Sequence, residues 1–174
     1  MGADVRHVTL RYFNVAGADP QGRSGQSTPR ATHLIKVACQ AALGKRSHLD
    51  IFGVDYDTPD GTCIRDYIQV SDLAAAHLSA LSYLRDGGRS DVFNCGYGQG
   101  YSVKQVIEAV KHVSAVDFDV RNVARRDGDP AALVAATDKI HATLGWRPQH
   151  DNLDRIVSQA LNWEEHLTQN PGAD

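Results

Sequence analysis

No stretch of this 174-residue chain is apolar for long enough to cross a membrane. The richest runs, Ala31–Leu43 and Leu73–Leu84, are broken by Lys, Gln, His or Ser. Positive charge is equally sparse. There is no basic stripe beyond Arg125-Arg126, and a net charge of −3 argues against a nucleic-acid or anionic-membrane surface. Cysteine is limited to Cys39, Cys63 and Cys95, with no C-x-x-C pair and no histidine at metal-ligand spacing. That excludes a disulfide framework and a structural zinc site, and the three read as reduced, buried, cytoplasmic thiols. The eight histidines are scattered, and no metal site is expected. A nucleophile elbow G-x-S-x-G is missing. So is a Tyr-x-x-x-Lys pair, since none of the six tyrosines is followed by Lys four residues later. No signal peptide is expected, and Met1-Gly2 is followed by Arg6 where a myristoylation signal has Ser or Thr.

What is present is an ordinary globular composition, 42% hydrophobic, in a length that suits one region, 1–174, with one buried core. His7–Phe13 alternates β-branched or aromatic with polar residues and predicts a strand. The loop Asn14–Arg30 follows. Leu34, Val37, Ala38, Ala41 and Ala42 recur at helical spacing up to Gly44. A strand is predicted at Leu49–Phe52. Next comes a helix from about Leu73, capped by Ser71-Asp72, with Leu73, Ala76, Ala80, Leu81 and Leu84 on its apolar face and Gly87-Gly88 at its end. Asp91–Cys95 predicts a strand, Ser102 with Gln105 a capping box, and Val103, Val106, Ile107 and Val110 the helix behind it. Phe118–Val123 predicts a strand, Asp138–Leu144 a short helix stopped by Gly145 beside a packed Trp146, and Leu153–Leu161 a final amphipathic helix. Strands alternating with helices give an α/β class.

Three loops carry the chemistry. In Ile51–Asp72 a Pro59-Asp60-Gly61 turn leads to Arg65, Asp66 and Tyr67. A guanidinium there suits a bidentate oxyanion, and the competing role is a salt bridge that staples the loop. Gly96–Gly100 lies between a strand and a helix as a dinucleotide fingerprint would. Tyr101 stands where its third glycine belongs, however, so a structural turn is expected. Arg125–Pro130 joins phosphate donors to Asp129, whose carboxylate can accept from a vicinal diol. Two loops pairing Arg with Asp point to a phosphorylated or nucleotide-linked sugar.

Arg11-Tyr12-Phe13-Asn14 with Gly17-Ala18, the D-G-T-x-x-R-D-Y-I run, Asn94–Gly100 and R-R-x-G-D together resemble the C-terminal half of the UDP-glucose 4-epimerases, in the extended short-chain dehydrogenase/reductase family. The resemblance spans nearly the whole chain, in order. It implies an incomplete Rossmann-type α/β fold that lacks the N-terminal NAD-binding half and keeps a small mixed α/β substrate-binding domain. It implies that Tyr12 and Phe13 line the nicotinamide side of the cleft. Asn14 would contact substrate, with His33 and Leu34 along the UDP. The backbone of Asp50–Phe52, including Asp50 and Phe52, would hold uracil; Arg65 and Arg126 the diphosphate; Asp129 the ribose. Tyr67 would lie at the substrate site, and Leu133 where side-chain bulk decides whether an N-acetylated sugar fits.

Gln69, Lys36 and Ala136 depart from the family's usual His, Pro and Asp, the first two as adjustments of packing. The glycine-rich turn and the Tyr/Lys pair, which deprotonates the sugar 4-hydroxyl, belong to the half this chain lacks. No catalytic residue is therefore assigned, and no cofactor is expected on this chain alone, NAD belonging to the complete enzyme. The expected partners are UDP-glucose or UDP-galactose, the N-terminal Rossmann half, and a second copy in a homo-oligomer. Alternatives are another nucleotide-sugar dehydratase or epimerase, or a non-catalytic UDP-sugar-binding remnant.

Overall fold

The computed structural model describes residues 5–170; Met1 and Gly2, with the lipidation question they raise, lie outside it. In chain order the elements begin with β1 (Val8–Arg11), β2 (Asn14–Ala16), α1 (Leu34–Ala42), β3 (Leu49–Phe52), β4 (Ile64–Arg65), β5 (Tyr67–Gln69) and α2 (Val70–Arg85). They continue with β6 (Asp91–Asn94), β7 (Tyr101–Ser102), α3 (Val103–Ser114), β8 (Val120–Val123), β9 (Ala132–Leu133), α4 (Asp138–Leu144) and α5 (Leu153–Gln169). The class is α/β, with small and mostly parallel sheets. β1 pairs with β6, β2 with β5 and β3 with β8, all parallel, while β4 runs parallel to β9 and antiparallel to β7.

Two cores follow from the amphipathic stripes. In the larger, α1, α3 and α5 pack on one another over β3, burying Ala38, Cys39, Leu49, Val106, Val110, Ile156 and Val157. The smaller joins β5, β6 and α2 to α4 through Ile68, Phe93, Ala76, Ile140 and Trp146. Fully burying an aliphatic side chain of this size stabilises by about 1.5–3 kcal/mol, so the helices hold through these faces rather than through propensity.

Several boundaries differ from the sequence expectation. The predicted strand His7–Phe13 is two strands: β1 stops at Arg11, and Asn14–Ala16, expected as loop, forms β2 on a different neighbour. Alternation marks which faces are buried, and it cannot show that pairing changes partner midway. β7 and β9 consist of two residues each, too short for any periodic signal, and β8 begins at Val120 rather than Phe118. α2 begins at Val70, not near Leu73, and its cap is Gln69, wholly buried, whose side-chain oxygen accepts from the backbone N–H groups of Ser71 and Asp72. Leu81, expected on the buried face, is 53% exposed, and Leu78 is 67% exposed.

The stretch 51–72 is held by three aspartates. Asp60 accepts from the Thr62 N–H at 2.8 Å and Thr62 Oγ1 at 2.7 Å, and also from the Ser102 hydroxyl that caps α3. Gly61 makes this turn possible, with φ of 80° and no room for a Cβ against the Val54 carbonyl. Asp66 and Asp72 reach further. The Asp72 carboxylate accepts from the Tyr97 hydroxyl at 2.8 Å and from the N–H groups of Gln149 at 3.0 Å and His150 at 2.9 Å. It is a tertiary anchor instead of the predicted helix cap.

Candidate functional site

β2 and β5 place Asn14 directly opposite Tyr67 in register. Between these strands, the start of α1 and α5 lies a small, partly open cavity of ≈ 30 Å³, walled by Asn14, His33, Leu34, Lys36, Tyr67 and Trp163 among others. A wider cleft of ≈ 280 Å³ shares Gln26 and His33 with it. Four of the expected contact residues thus meet at one place. α1 enters there with His33 at its N-cap, no side-chain cap and no acidic residue in its first turn. Its first N–H groups and the positive end of its dipole form a ready anion site. Tyr67 is buried, which pushes its hydroxyl above the ordinary tyrosine range, so it serves as core and cavity wall together.

Arg65 stands in β4 opposite Leu133 of β9. Its guanidinium donates to the Ile64 carbonyl at 2.8 Å and to Asp129 at 3.4 Å. The stapling salt bridge foreseen as the competing role is therefore present, with Asp129 as partner. The two adjacent arginines divide their work. Arg125 donates to Asp55 at 2.6 Å, holding that carboxyl below the usual range, and lies 4.1 Å over the Tyr56 ring. Arg126 lies 3.6 Å over the Phe52 ring and has no carboxylate partner among the described residues. Of the two, Arg125 is the one held in an ion pair. Phe52 and Asp50 lie on β3, which among the described residues pairs with β8 alone, leaving its other edge without a strand. Asp50 is 3.5 Å from the His48 ring. Tyr12 and Phe13 occupy the break between β1 and β2, away from the cavity walls, with Tyr12 edge-on to His77 at 6.2 Å.

The glycine run after β6 is not a phosphate turn. The Asp66 carboxylate accepts from the N–H groups of Tyr97 at 3.0 Å, Gly98 at 3.0 Å and Ala135 at 3.2 Å. A Cβ on Gly96 would collide with that carboxylate. Burial raises the Asp66 carboxyl above its ordinary pKa, against the pull of the three N–H donors. The nest is filled from within.

Sequence reasoning missed Gln26, Lys36 and Glu164 at the cavity. Lys36, expected to adjust packing, is 5% exposed and paired with Glu164, itself 3% exposed. Lys45 adds bonds to the Glu164 carbonyl at 2.8 Å and carboxylate at 3.2 Å. A lysine on the inner side of α1's stripe was the available signal, since a charge there needs a partner. Cys39, Cys63 and Cys95 are buried and free, and the described residues contain no group of side chains able to hold a metal. No described helix is long and apolar enough to cross a membrane.

Residues 2–96 match the model of the NAD dependent epimerase/dehydratase family. A UDP-glucose 4-epimerase of Azospirillum brasilense is 61% identical over 168 residues, which are 97% of this chain and 48% of that protein. A crystal structure of a UDP-glucose 4-epimerase superposes with a TM-score of 0.91 at 46% identity, over 98% of this chain and 51% of that one. The enzyme from Bifidobacterium longum, in complex with NAD+ and UDP, gives 0.86 at 36% identity, over 96% and 49%. The chain spans about half the length of the relatives it matches.

Proposed function

The chain belongs to the NAD dependent epimerase/dehydratase family, and we propose that it supplies the UDP-sugar side of a UDP-glucose 4-epimerase. The observation that carries this is the uncapped start of α1 opening beside Asn14, His33 and Tyr67, with Arg126 unpaired on a separate loop. In this proposal the α1 N–H groups, Arg65 and Arg126 hold the diphosphate, the free edge of β3 and Phe52 take the uracil, Asp129 the ribose, and Asn14 the hexose. Leu133, in register with Arg65, bounds the sugar and sets the room for an N-acetyl group. Tyr12 and Phe13 face the nicotinamide.

In the complete enzyme, bound NAD would supply hydride chemistry at the sugar C4. The glycine run after β6 does not fit the dinucleotide's phosphates, because its N–H groups are already bonded to Asp66. This chain's part is to bind and orient the UDP-sugar, and the 174-residue polypeptide by itself does not turn over. Buried free thiols agree with a reducing, cytoplasmic setting.

The test is a calorimetric titration with UDP-glucose alongside thymidine and guanosine diphosphate glucose. Saturable, uridine-selective binding is expected. Arg126→Ala weakens it about 10- to 100-fold, since hydrogen bonds to a charged group contribute about 1.5–3 kcal/mol. Equal affinity for all three sugars points to a sibling enzyme, and binding untouched by Arg126→Ala, or no binding at all, sinks the assignment of these loops.

The exposed α2 stripe of Val70, Ala74, Leu78 and Leu81 is the face we assign to the half of the relatives that this chain does not match. Left uncovered, such a face associates with itself. Sedimentation at rising concentration is expected to show self-association that Leu78→Lys abolishes; a monomer throughout counts against that face.

A further inference from the structure

We propose that Gln26 is a positioning residue that fixes the His33 proton on Nε2, so that the ring offers an N–H donor to the anion at the start of α1. The Gln26 amide nitrogen lies 2.8 Å from His33 Nδ1. With the amide nitrogen turned to the ring, Gln26 can only donate, which assigns Nδ1 as acceptor and the proton of the neutral ring to Nε2. The Gln26 backbone is in turn held in place. Lys36 Nζ donates to its backbone carbonyl at 2.7 Å, and Lys36 is locked against Glu164. The preceding Gly25 lies against the Trp163 ring so closely that a Cβ would overlap it. Lys45 fixes Glu164 from the far end of α1.

The result is an anchored donor under an exposed ring. His33 is solvent-exposed, so its Nε2 edge can meet a ligand, and it stands at the N-cap without capping the helix. An imidazole in the other tautomer would turn a lone pair toward the same anion and repel it. Gln26 thus sets the sign of the contact His33 makes, although it does not itself have to touch the ligand.

The tautomer is independent of the ligand's identity, whereas its purpose rests on the UDP-sugar assignment above. The experiment is 15N NMR of the imidazole nitrogens in the 174-residue chain at alkaline pH, with His33 assigned by its loss in His33→Gln. A single Nε2–H tautomer is expected. Gln26→Leu returns the ring to a mixture, and Gln26→Glu, which puts an acceptor there, moves the proton to Nδ1. UDP-glucose affinity falls about 3- to 10-fold in Gln26→Leu, the size of one hydrogen bond. A mixed or Nδ1–H ring in the unaltered chain, or one indifferent to Gln26→Leu, overturns the proposal. A single Nε2–H tautomer whose nitrogens ignore UDP-glucose keeps Gln26 as the positioning residue and overturns the UDP-sugar assignment instead.

Discussion

Asp66→Ala is expected to lower the unfolding free energy by about 3–5 kcal/mol, read from the urea midpoint. The substitution leaves the Ala135 N–H without an acceptor in a buried place and those of Tyr97 and Gly98 without one in a partly buried place. Each orphaned donor costs about 1–3 kcal/mol. Domains of this size hold only about 5–15 kcal/mol in total, so a large part of the stability goes. Asp66→Asn retains one acceptor oxygen and is expected to lose about half as much. If alanine and asparagine lower the midpoint alike and by under about 1 kcal/mol, the carboxylate does not hold the glycine turn and β9.

The second large effect lies in the ion pair of α1 and α5. Removing one member of a buried pair costs about 3–5 kcal/mol, because the other charge stays behind without its partner. The two single variants are not equivalent. Glu164→Leu strands both Lys36 and Lys45 and is expected at the top of that range, while Lys36→Met leaves Glu164 with Lys45 and is expected below it. The double variant Lys36→Met/Glu164→Leu leaves only Lys45, which is partly exposed and can turn to water. Its loss is therefore smaller than that of Glu164→Leu alone. Urea unfolding of the three variants gives the coupling directly, and additive losses refute a mutual pair.

These two predictions also show where the sequence stops being informative. The strands at 49–52 and 91–94, the helices at 34–42 and 138–144, the first half of the helix that starts at Leu153 and the Ser102–Gln105 capping box are legible because each is written within about a dozen residues. Of the candidate site, Arg65, Arg126, Asp129 and Asn14 are picked out by their loops and by family resemblance. The convergence of Asn14, His33, Leu34 and Tyr67 on one cavity is not, since β2 finds β5 across a long stretch of chain. Gln69 looked like a neutral change from histidine, and became the buried cap of α2 once Tyr97, Gln149 and His150 took up the Asp72 carboxylate that the local pattern had offered as a cap.

By itself the sequence determined an α/β chain, the position of most helices and strands, and the loops in which arginine and aspartate stand together. Tertiary structure alone decided what each charge faces. It turned Asp66 inward to fill the glycine nest, set Arg125 on Asp55 while leaving Arg126 free, and brought Lys36 to Glu164 across 128 residues. Periodicity records which side of an element is buried, because burial repeats with the turn of the helix or the pleat of the strand. A hydrogen-bond partner does not repeat, and for a buried polar group it is fixed only when the chain has closed around it.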